Sequence, residues 1–208
     1  AYRGGLLYAQ DPAARLAVLA AGLAPGQKVL DACAAPGGKS FAAAIVMGDS
    51  GEIRACDIHA HKKCLIEAGV HRLGLTSITA QVLDGKNPKK GWEETFDTVI
   101  ADVPCSGLGV IRKKPEIRYK SPEELADLPR VQRDILDNVS RYVRPGGLLL
   151  YSTCTLRREE NEEVVRGFLE SHPAFALECF TLPGPIGEVA EGVCTLWPQR
   201  VETDGFFI

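Results

Sequence analysis

The sequence lacks the means for a disulfide framework. Its seven cysteines are an odd number and contain no C-x-x-C pair, which argues against both a disulfide scaffold and a structural zinc site. A reduced, cytoplasmic compartment is the expectation. No apolar run approaches the roughly eighteen residues of a membrane span, and Ala1-Tyr2-Arg3-Gly4-Gly5 does not make a signal peptide. His59, His61 and His71 fall in one polar-apolar helical segment and read as surface residues, so no metal is assigned. A large excess of positive charge is also missing. The net charge of −3 argues against a cation-coated nucleic-acid binder and leaves room for a local basic patch.

The 208 residues carry 45% hydrophobic and 25% charged side chains, the proportions of one soluble globular domain with a substantial core. Residues 1–208 read as one domain, with no repeat, low-complexity tract or linker, and a monomer is the default. The sequence does not open on Met, and the expectation is a fragment of a longer protein.

The stretch Asp31-Ala32-Cys33-Ala34-Ala35-Pro36-Gly37-Gly38-Lys39-Ser40 organises the rest. The apolar run Lys28-Val29-Leu30 before it reads as a buried strand, and Phe41 to Val46 after it as a helix. A strand, a Gly-rich turn and a helix N-terminus together suit an anionic or polar ligand group. Three ligand readings compete. Gly38-Lys39-Ser40 matches the end of a P-loop, but Cys33 stands where its first glycine belongs. A dinucleotide fingerprint needs G-x-G-x-x-G, and only the pair Gly37-Gly38 is present. The third is the nucleoside-binding turn of an S-adenosylmethionine (SAM) enzyme. A plain turn has little use for Pro-Gly-Gly followed by a cation.

Three further strands end in acids. Gly51 to Asp57 places Asp57 nineteen positions after Gly38, near the spacing of about 20 expected for a ribose-binding carboxylate. Ser77 to Leu83 leads to Asp84, and Phe96 to Ala101 leads to Asp102. Strands separated by helices describe a parallel α/β sheet that binds ligands at its carboxyl edge. Asp31, Asp57, Asp84 and Asp102 are therefore expected to line one crevice. Asp11-Pro12 starts a first helix, with Leu16, Leu19 and Leu23 on its apolar face. Ser121-Pro122-Glu123-Glu124 is a capping box, and Pro129 separates it from a helix with Val131, Ile135, Leu136, Val139 and Val143 buried. Pro145-Gly146-Gly147 is expected to end that helix before a fifth strand, Leu148 to Tyr151. Glu159 to Glu170 reads as a helix, and Phe175 to Phe180 and Gly205 to Ile208 as two closing strands, the last antiparallel.

Val103 to Lys120 begins at the expected crevice and carries Arg112, Lys113, Lys114, Arg118 and Lys120 with one aromatic, Tyr119. Such cations can hold phosphates, and a tyrosine can stack on a base. Cys105 follows the fourth strand and Cys154 the fifth. Buried cysteines are ordinarily inert packing. Two at the active edge of one sheet point instead to a thiolate that attacks an electrophilic ring carbon.

These motifs together resemble the RNA cytosine-5 methyltransferases of the Nol1/Nop2/Sun family. The resemblance rests on Asp31 to Lys39, on Asp102-Val103-Pro104-Cys105-Ser106-Gly107, on Ser152-Thr153-Cys154-Thr155 with Glu159-Glu160-Asn161, and on the closing Asp204-Gly205-Phe206-Phe207. Gly109 to Ile117 is most similar to the bacterial RsmB-type branch, which acts on small-subunit (16S) ribosomal RNA. The resemblance implies a Rossmann-like SAM-dependent methyltransferase fold with helices on both faces of a mostly parallel, seven-stranded sheet whose last strand is antiparallel. It also implies an N-terminal RNA-binding extension in members of that branch.

The resemblance further implies roles. Cys33, Ala34, Ala35, Pro36, Gly37, Gly38 and Lys39 would form the SAM turn. Asp57 would hold the ribose hydroxyls, Asp84 would lie by the adenine, and Asp102 would sit between cofactor and cytosine. Cys154 would be the nucleophile and Cys105 would assist product release, giving 5-methylcytosine in RNA. Arg112, Lys113, Lys114, Arg118 and Tyr119 would face the RNA. Pro104-Cys105 is also similar to the nucleophile motif of DNA cytosine-5 methyltransferases, on which pattern Cys105 would attack. A P-loop ATP-binding protein and an idle RNA-binding module are the readings from other classes.

Overall fold

The computed structural model describes residues 1–208. In chain order the elements are α1 (Pro12–Ala20), β1 (Lys28–Asp31), α2 (Gly38–Val46), β2 (Glu52–Asp57), α3 (Ala60–Leu73), β3 (Ile78–Val82) and β4 (Phe96–Asp102). Then come α4 (Pro122–Ala126), α5 (Leu128–Val139), β5 (Val143–Ser152), α6 (Glu162–Ser171), β6 (Phe180–Leu182), β7 (Gly187–Val189), β8 (Thr195–Leu196), α7 (Pro198–Val201) and β9 (Phe206–Phe207). The first five strands form one parallel sheet in the order β3-β2-β1-β4-β5. The chain lays strands outward from β1 to β3, then returns to β1's other side. That reversal opens a crevice at the carboxyl ends of β1 and β4.

Alternation along the strands splits the core in two. Val29, Ile53, Ile100 and Leu150 face α1, α2 and α3. Their neighbours Leu30, Val99, Ala101 and Tyr151 face α5 and α6. Both faces of a parallel sheet are covered, so each strand is apolar on both sides. In α1, the Asp11 side chain accepts from Ala13 N and Pro12 opens the helix. Ala13, Ala17 and Val18 reach the core, while the expected Leu16 and Leu19 pack at its margin. The capping box at Ser121 and Glu124 forms with both of its bonds.

The Rossmann-like architecture is as expected, but the sheet is smaller than the expected seven strands. Five strands share it, and the rest form two antiparallel ribbons, β6–β7 and β8–β9. Pro173, Pro183 and Pro185 break the segment after α6, because each removes a ladder donor. The expected strand at Phe175 to Phe180 is displaced to Phe180–Leu182. The closing strand does run antiparallel and touches the sheet through a bridge between Thr153 and Phe207. Pro145-Gly146-Gly147 does not end a helix. Helix α5 stops at Val139, and β5 begins at Val143 with an irregularity opposite Asp97, where the register moves from Phe96↔Val143 to Thr98↔Leu148. Arg144 reaches Asp97 there at 2.6 Å. The expected helix at Glu159 to Glu170 is divided into a 3-10 turn, Arg158–Glu160, and α6.

The C-terminal ribbon is fastened by backbone contact. Gly109 N donates to Cys154 O at 3.0 Å, and Gly205 N donates to Gly109 O at 2.9 Å. A Cβ on Gly109 would lie 2.0 Å from Gly205 O and 2.9 Å from Cys154 O. Both obstacles are backbone, so no side-chain rotation relieves them. Gly109→Ala is expected to cost about 1–3 kcal/mol, read as a lower denaturation midpoint, while Gly26→Ala, with nothing within 4 Å of the added atom, is strained only through its positive φ.

Candidate active site

The register of two strands sets the site. Asp102, the last residue of β4, lies opposite Ser152, the last of β5, and Val103 N still donates to Ser152 O at 3.2 Å. Cys105 and Cys154 follow a few residues beyond. Both loops therefore leave the sheet side by side, and the two sulfur atoms stand 3.2 Å apart.

Polar bonds join the two loops. Ser106 Oγ and Thr155 Oγ1 are 2.7 Å apart. Ser106 N donates to Glu160 Oε2 at 2.8 Å. Gln132 Nε2, from α5, donates to Pro104 O and to Glu160 Oε2, each at 2.9 Å. Asn161 holds the Cys154 loop, accepting from Thr153 Oγ1 at 2.6 Å and donating to Thr155 O at 3.1 Å. Gln132, Glu160 and Asn161 are all buried. Sequence reasoning assigned no role to Gln132, Ser106 or Thr155. The available signal was a polar residue at 132 inside the apolar stripe of Val131, Ile135 and Leu136.

Lys39, in the first turn of α2, reaches Asp102 Oδ2 at 2.6 Å and lies 5.0 Å above the Phe206 ring. Ser152 Oγ donates to Asp102 Oδ1 at 2.9 Å. This answers the P-loop reading: the buried Lys39 ammonium is committed to the sheet's own carboxylate.

The two thiols differ in acidity. The hydrogen bond from Cys105 holds the Cys154 thiol below its ordinary value, with Lys39 assisting against burial and the field of Asp102. The same bond to Cys154, with burial and Asp102, pushes Cys105 well up. Cys154 is therefore the more acidic of the two thiols. Burial lifts Asp31 to about 7, against the opposing bond from Ser40. One oxygen of Asp31, Oδ1, is buried without a partner. Burial, with Asp31 and Asp102, keeps Cys33 protonated.

The remaining expected residues sort by position. Gly37 adopts φ 111°, and a Cβ there would meet the Phe41 ring at 2.3 Å; only glycine turns the chain this tightly into α2. No side chain caps α2, so its first N–H groups have no side-chain partner. Ala34 N donates to Cys56 O at 2.7 Å, which lays the turn against the end of β2. Asp57, at that end, accepts from His59 N at 3.0 Å and stands 3.9 Å from Lys62 Nζ. Asp84 stands two residues past β3, and its own loop takes up its carboxyl group, with Lys86 N at 3.0 Å and Asn87 Nδ2 at 2.9 Å. Asp31, Asp57 and Asp102 share the carboxyl edge; Asp84 borders it without a free carboxyl oxygen pair.

The cationic segment is less free than its composition suggested. Arg112 pairs with Asp204 at 3.1 Å, and Lys113 with Asp204 at 2.8 Å and with Asp11. Lys120 Nζ is turned inward to Ser106 O at 3.1 Å. Lys114, Arg118 and Tyr119 are exposed, Tyr119 by 82%, and neither Lys114 nor Arg118 has a carboxylate partner.

Residues 18–208 match the family described as 16S rRNA methyltransferase RsmB/F. The chain belongs to that family. The probable ribosomal RNA small subunit methyltransferase B of Bacillus subtilis (strain 168) is 40% identical over 213 residues, spanning 100% of this chain and 48% of that protein. The ribosomal RNA small subunit methyltransferase F of Klebsiella pneumoniae (strain 342) is 36% identical, spanning 98% and 44%. The chain thus covers under half the length of these RsmB/F relatives. Among solved structures, PH0851 superposes with a TM-score of 0.90 at 34% identity, covering 99% of this chain and 46% of that one. NSun6 from Pyrococcus horikoshii with SFG superposes with a TM-score of 0.86 at 28% identity, covering 99% and 52%. No helix in the chain is long and apolar enough to cross a membrane.

The thiol asymmetry is open to a direct check. Iodoacetamide titrated from pH 6 to 9, read by peptide mass spectrometry, is expected to label Cys154 with a midpoint below the ordinary thiol value of about 8.5. Cys105 is expected to lag throughout.

Proposed function

We propose that this domain is the catalytic part of a SAM-dependent methyltransferase that forms 5-methylcytosine in small-subunit ribosomal RNA through a covalent bond between Cys154 and C6 of the base. The observation that carries the reading is the pair of sulfurs 3.2 Å apart at the carboxyl edge of β4 and β5, with Cys154 the more acidic thiol.

The residues present fit SAM. The uncapped N–H groups at the start of α2 and the turn from Cys33 through Ala34, Ala35, Pro36 and Gly37 to Gly38 and Lys39 suit its carboxylate end. The unpartnered Asp31 Oδ1 suits its ammonium group. Asp57 suits the ribose hydroxyls, and Asp84 borders the adenine side. A structural relative was solved with SFG, a SAM analogue. When bound, SAM supplies an electrophilic methyl group on a sulfonium sulfur.

Cytosine C5 is too weak a nucleophile to take that methyl directly. The Cys154 thiolate adds to C6, and the displaced π electrons make C5 nucleophilic. With SAM bound, C5 would take the methyl group as the methyl–sulfonium bond breaks, leaving a neutral thioether. Removal of the C5 proton returns the electrons of that C–H bond to the C5–C6 double bond and expels the Cys154 thiolate. Cys105 is suited to that second half. Its acidity is suppressed first by the hydrogen bond it shares with Cys154; addition of Cys154 to C6 breaks that bond, so the Cys105 thiol can release its proton to solvent and, as thiolate, accept the C5 proton. Asp102, held by Lys39 and Ser152, offers a fixed acceptor to the cytosine amino edge.

The base must leave its stack, at a cost of a few kcal/mol. Lys114 and Arg118 are available for flanking phosphates and Tyr119 for stacking. Arg112 and Lys113 shape the same surface through Asp204.

Calorimetry of SAM against magnesium ATP tests the reading. SAM is expected to bind, and Asp57→Ala to weaken it by about tenfold or more, as befits loss of charge-assisted hydrogen bonds. ATP binding with no SAM signal would overturn the assignment.

A further inference from the structure

Cys105 is gripped on both sides by one buried carboxyl group and one buried amide. The peptide before it presents Pro104 O to Gln132 Nε2 at 2.9 Å. The peptide after it presents Ser106 N to Glu160 Oε2 at 2.8 Å. Gln132 and Glu160 are bonded to each other at 2.9 Å, and both are fully buried. Glu160 is itself anchored: Tyr151 OH donates to its carbonyl at 2.6 Å, and Arg157 stands 3.5 Å from Oε1.

We propose that Glu160, acting with Gln132 on the peptides flanking Cys105, is a positioning residue that holds the Cys105 thiol in hydrogen-bond reach of Cys154. The inference rests on the roles given above to the two cysteines.

Three observations carry it. First, the clamp joins three separate elements, β5 through Tyr151, the segment after Cys154 through Glu160, and α5 through Gln132, and all meet at the Cys105 loop. Second, a buried carboxyl group is costly, and an apolar side chain would fill the same volume more cheaply; Glu160 Oε1 has no hydrogen-bond partner, only the Arg157 guanidinium at 3.5 Å. Here its Oε2 takes two donors, both of which also bear on the Cys105 peptides. Third, Gly107 just beyond is left-handed at φ 77°, so the loop turns sharply after Ser106, and the clamp is what fixes the turn's near side. The Sγ–Sγ contact is short and the acidity of Cys154 depends first on it. A loop free to relax by an ångström would lose that bond, because hydrogen bonds weaken steeply with distance and angle. Ser106 Oγ on Thr155 Oγ1 adds a direct tie between the two loops, but it lies beyond the cysteine and leaves Pro104 unheld.

The test uses the full chain alone and reads the pH midpoint of Cys154 alkylation by iodoacetamide, alongside Tm. Cys105→Ala sets the largest shift. Glu160→Met and Gln132→Met are each expected to raise the midpoint and slow alkylation at pH 7 about threefold or more, since the rate follows the thiolate fraction. Glu160→Gln keeps an oxygen able to accept both bonds and is expected to leave the midpoint near wild type. If Glu160→Met does not fold, Gln132→Met carries the test. Folded Met variants with lowered Tm and an unmoved midpoint would make the clamp merely structural and overturn the proposal. So would a Glu160→Gln shift as large as that of Glu160→Met, which would assign the effect to charge. If Cys105→Ala itself leaves the midpoint unmoved, the thiol pairing fails, and this proposal falls with it.

Discussion

The alignment of Asp102 with Ser152 across β4 and β5 is the constraint on which the site depends. Parallel strands deliver their carboxyl ends to the same edge, and one residue of slip would turn every side chain to the opposite face. With this register, Asp102 accepts from Ser152 and from Lys39, and the two cysteine loops leave side by side. The irregularity near Asp97 lies at the other end of the same strand pair. The pairing is regular where the chemistry is and irregular where it is not.

Buried polar groups join the segments of the site. Glu160, Gln132, Asn161, Ser106, Thr153 and Thr155 are all buried and all hydrogen-bonded. Each of these bonds ties two segments together, since breaking it leaves a desolvated group behind, although Gln132 Oε1 and Glu160 Oε1 stay buried without a hydrogen-bond partner. The C-terminal ribbon completes the enclosure. Asp204 binds Arg112 and Lys113, Gly205 packs on Gly109, Phe206 lies under Lys39, and Phe207 pairs with Thr153. Four consecutive residues thereby tie the cationic segment, the cysteine loops and the Gly-rich turn together.

Much of this was legible in the sequence, for physical reasons. The strands were marked by apolar runs ending in Asp, and α1 and α4 by Pro and capping residues, so existence and order followed from local signals. Cys105 and Cys154 were placed together by topology alone, as residues beyond adjacent parallel strands. The strand content after α6 was not legible, because Pro and Gly there leave pieces too short for a periodic pattern. Arg112 and Lys113 read as free cations because Asp11 and Asp204 are distant in sequence. Asp84 read as a crevice carboxylate because nothing in the sequence shows its oxygens bonded to Lys86 and Asn87. Gln132 was missed because a polar residue in an apolar stripe names no partner until the fold supplies one.

The most direct measurement of the central claim is covalent trapping of RNA, read as a protein–RNA species that survives denaturing electrophoresis. With SAM and small-subunit ribosomal RNA present, Cys105→Ala is predicted to accumulate the adduct, because Cys154 still attacks and release is impaired. Cys154→Ala is predicted to form none. An adduct that persists in Cys154→Ala and vanishes in Cys105→Ala would contradict the account and make Cys105 the nucleophile.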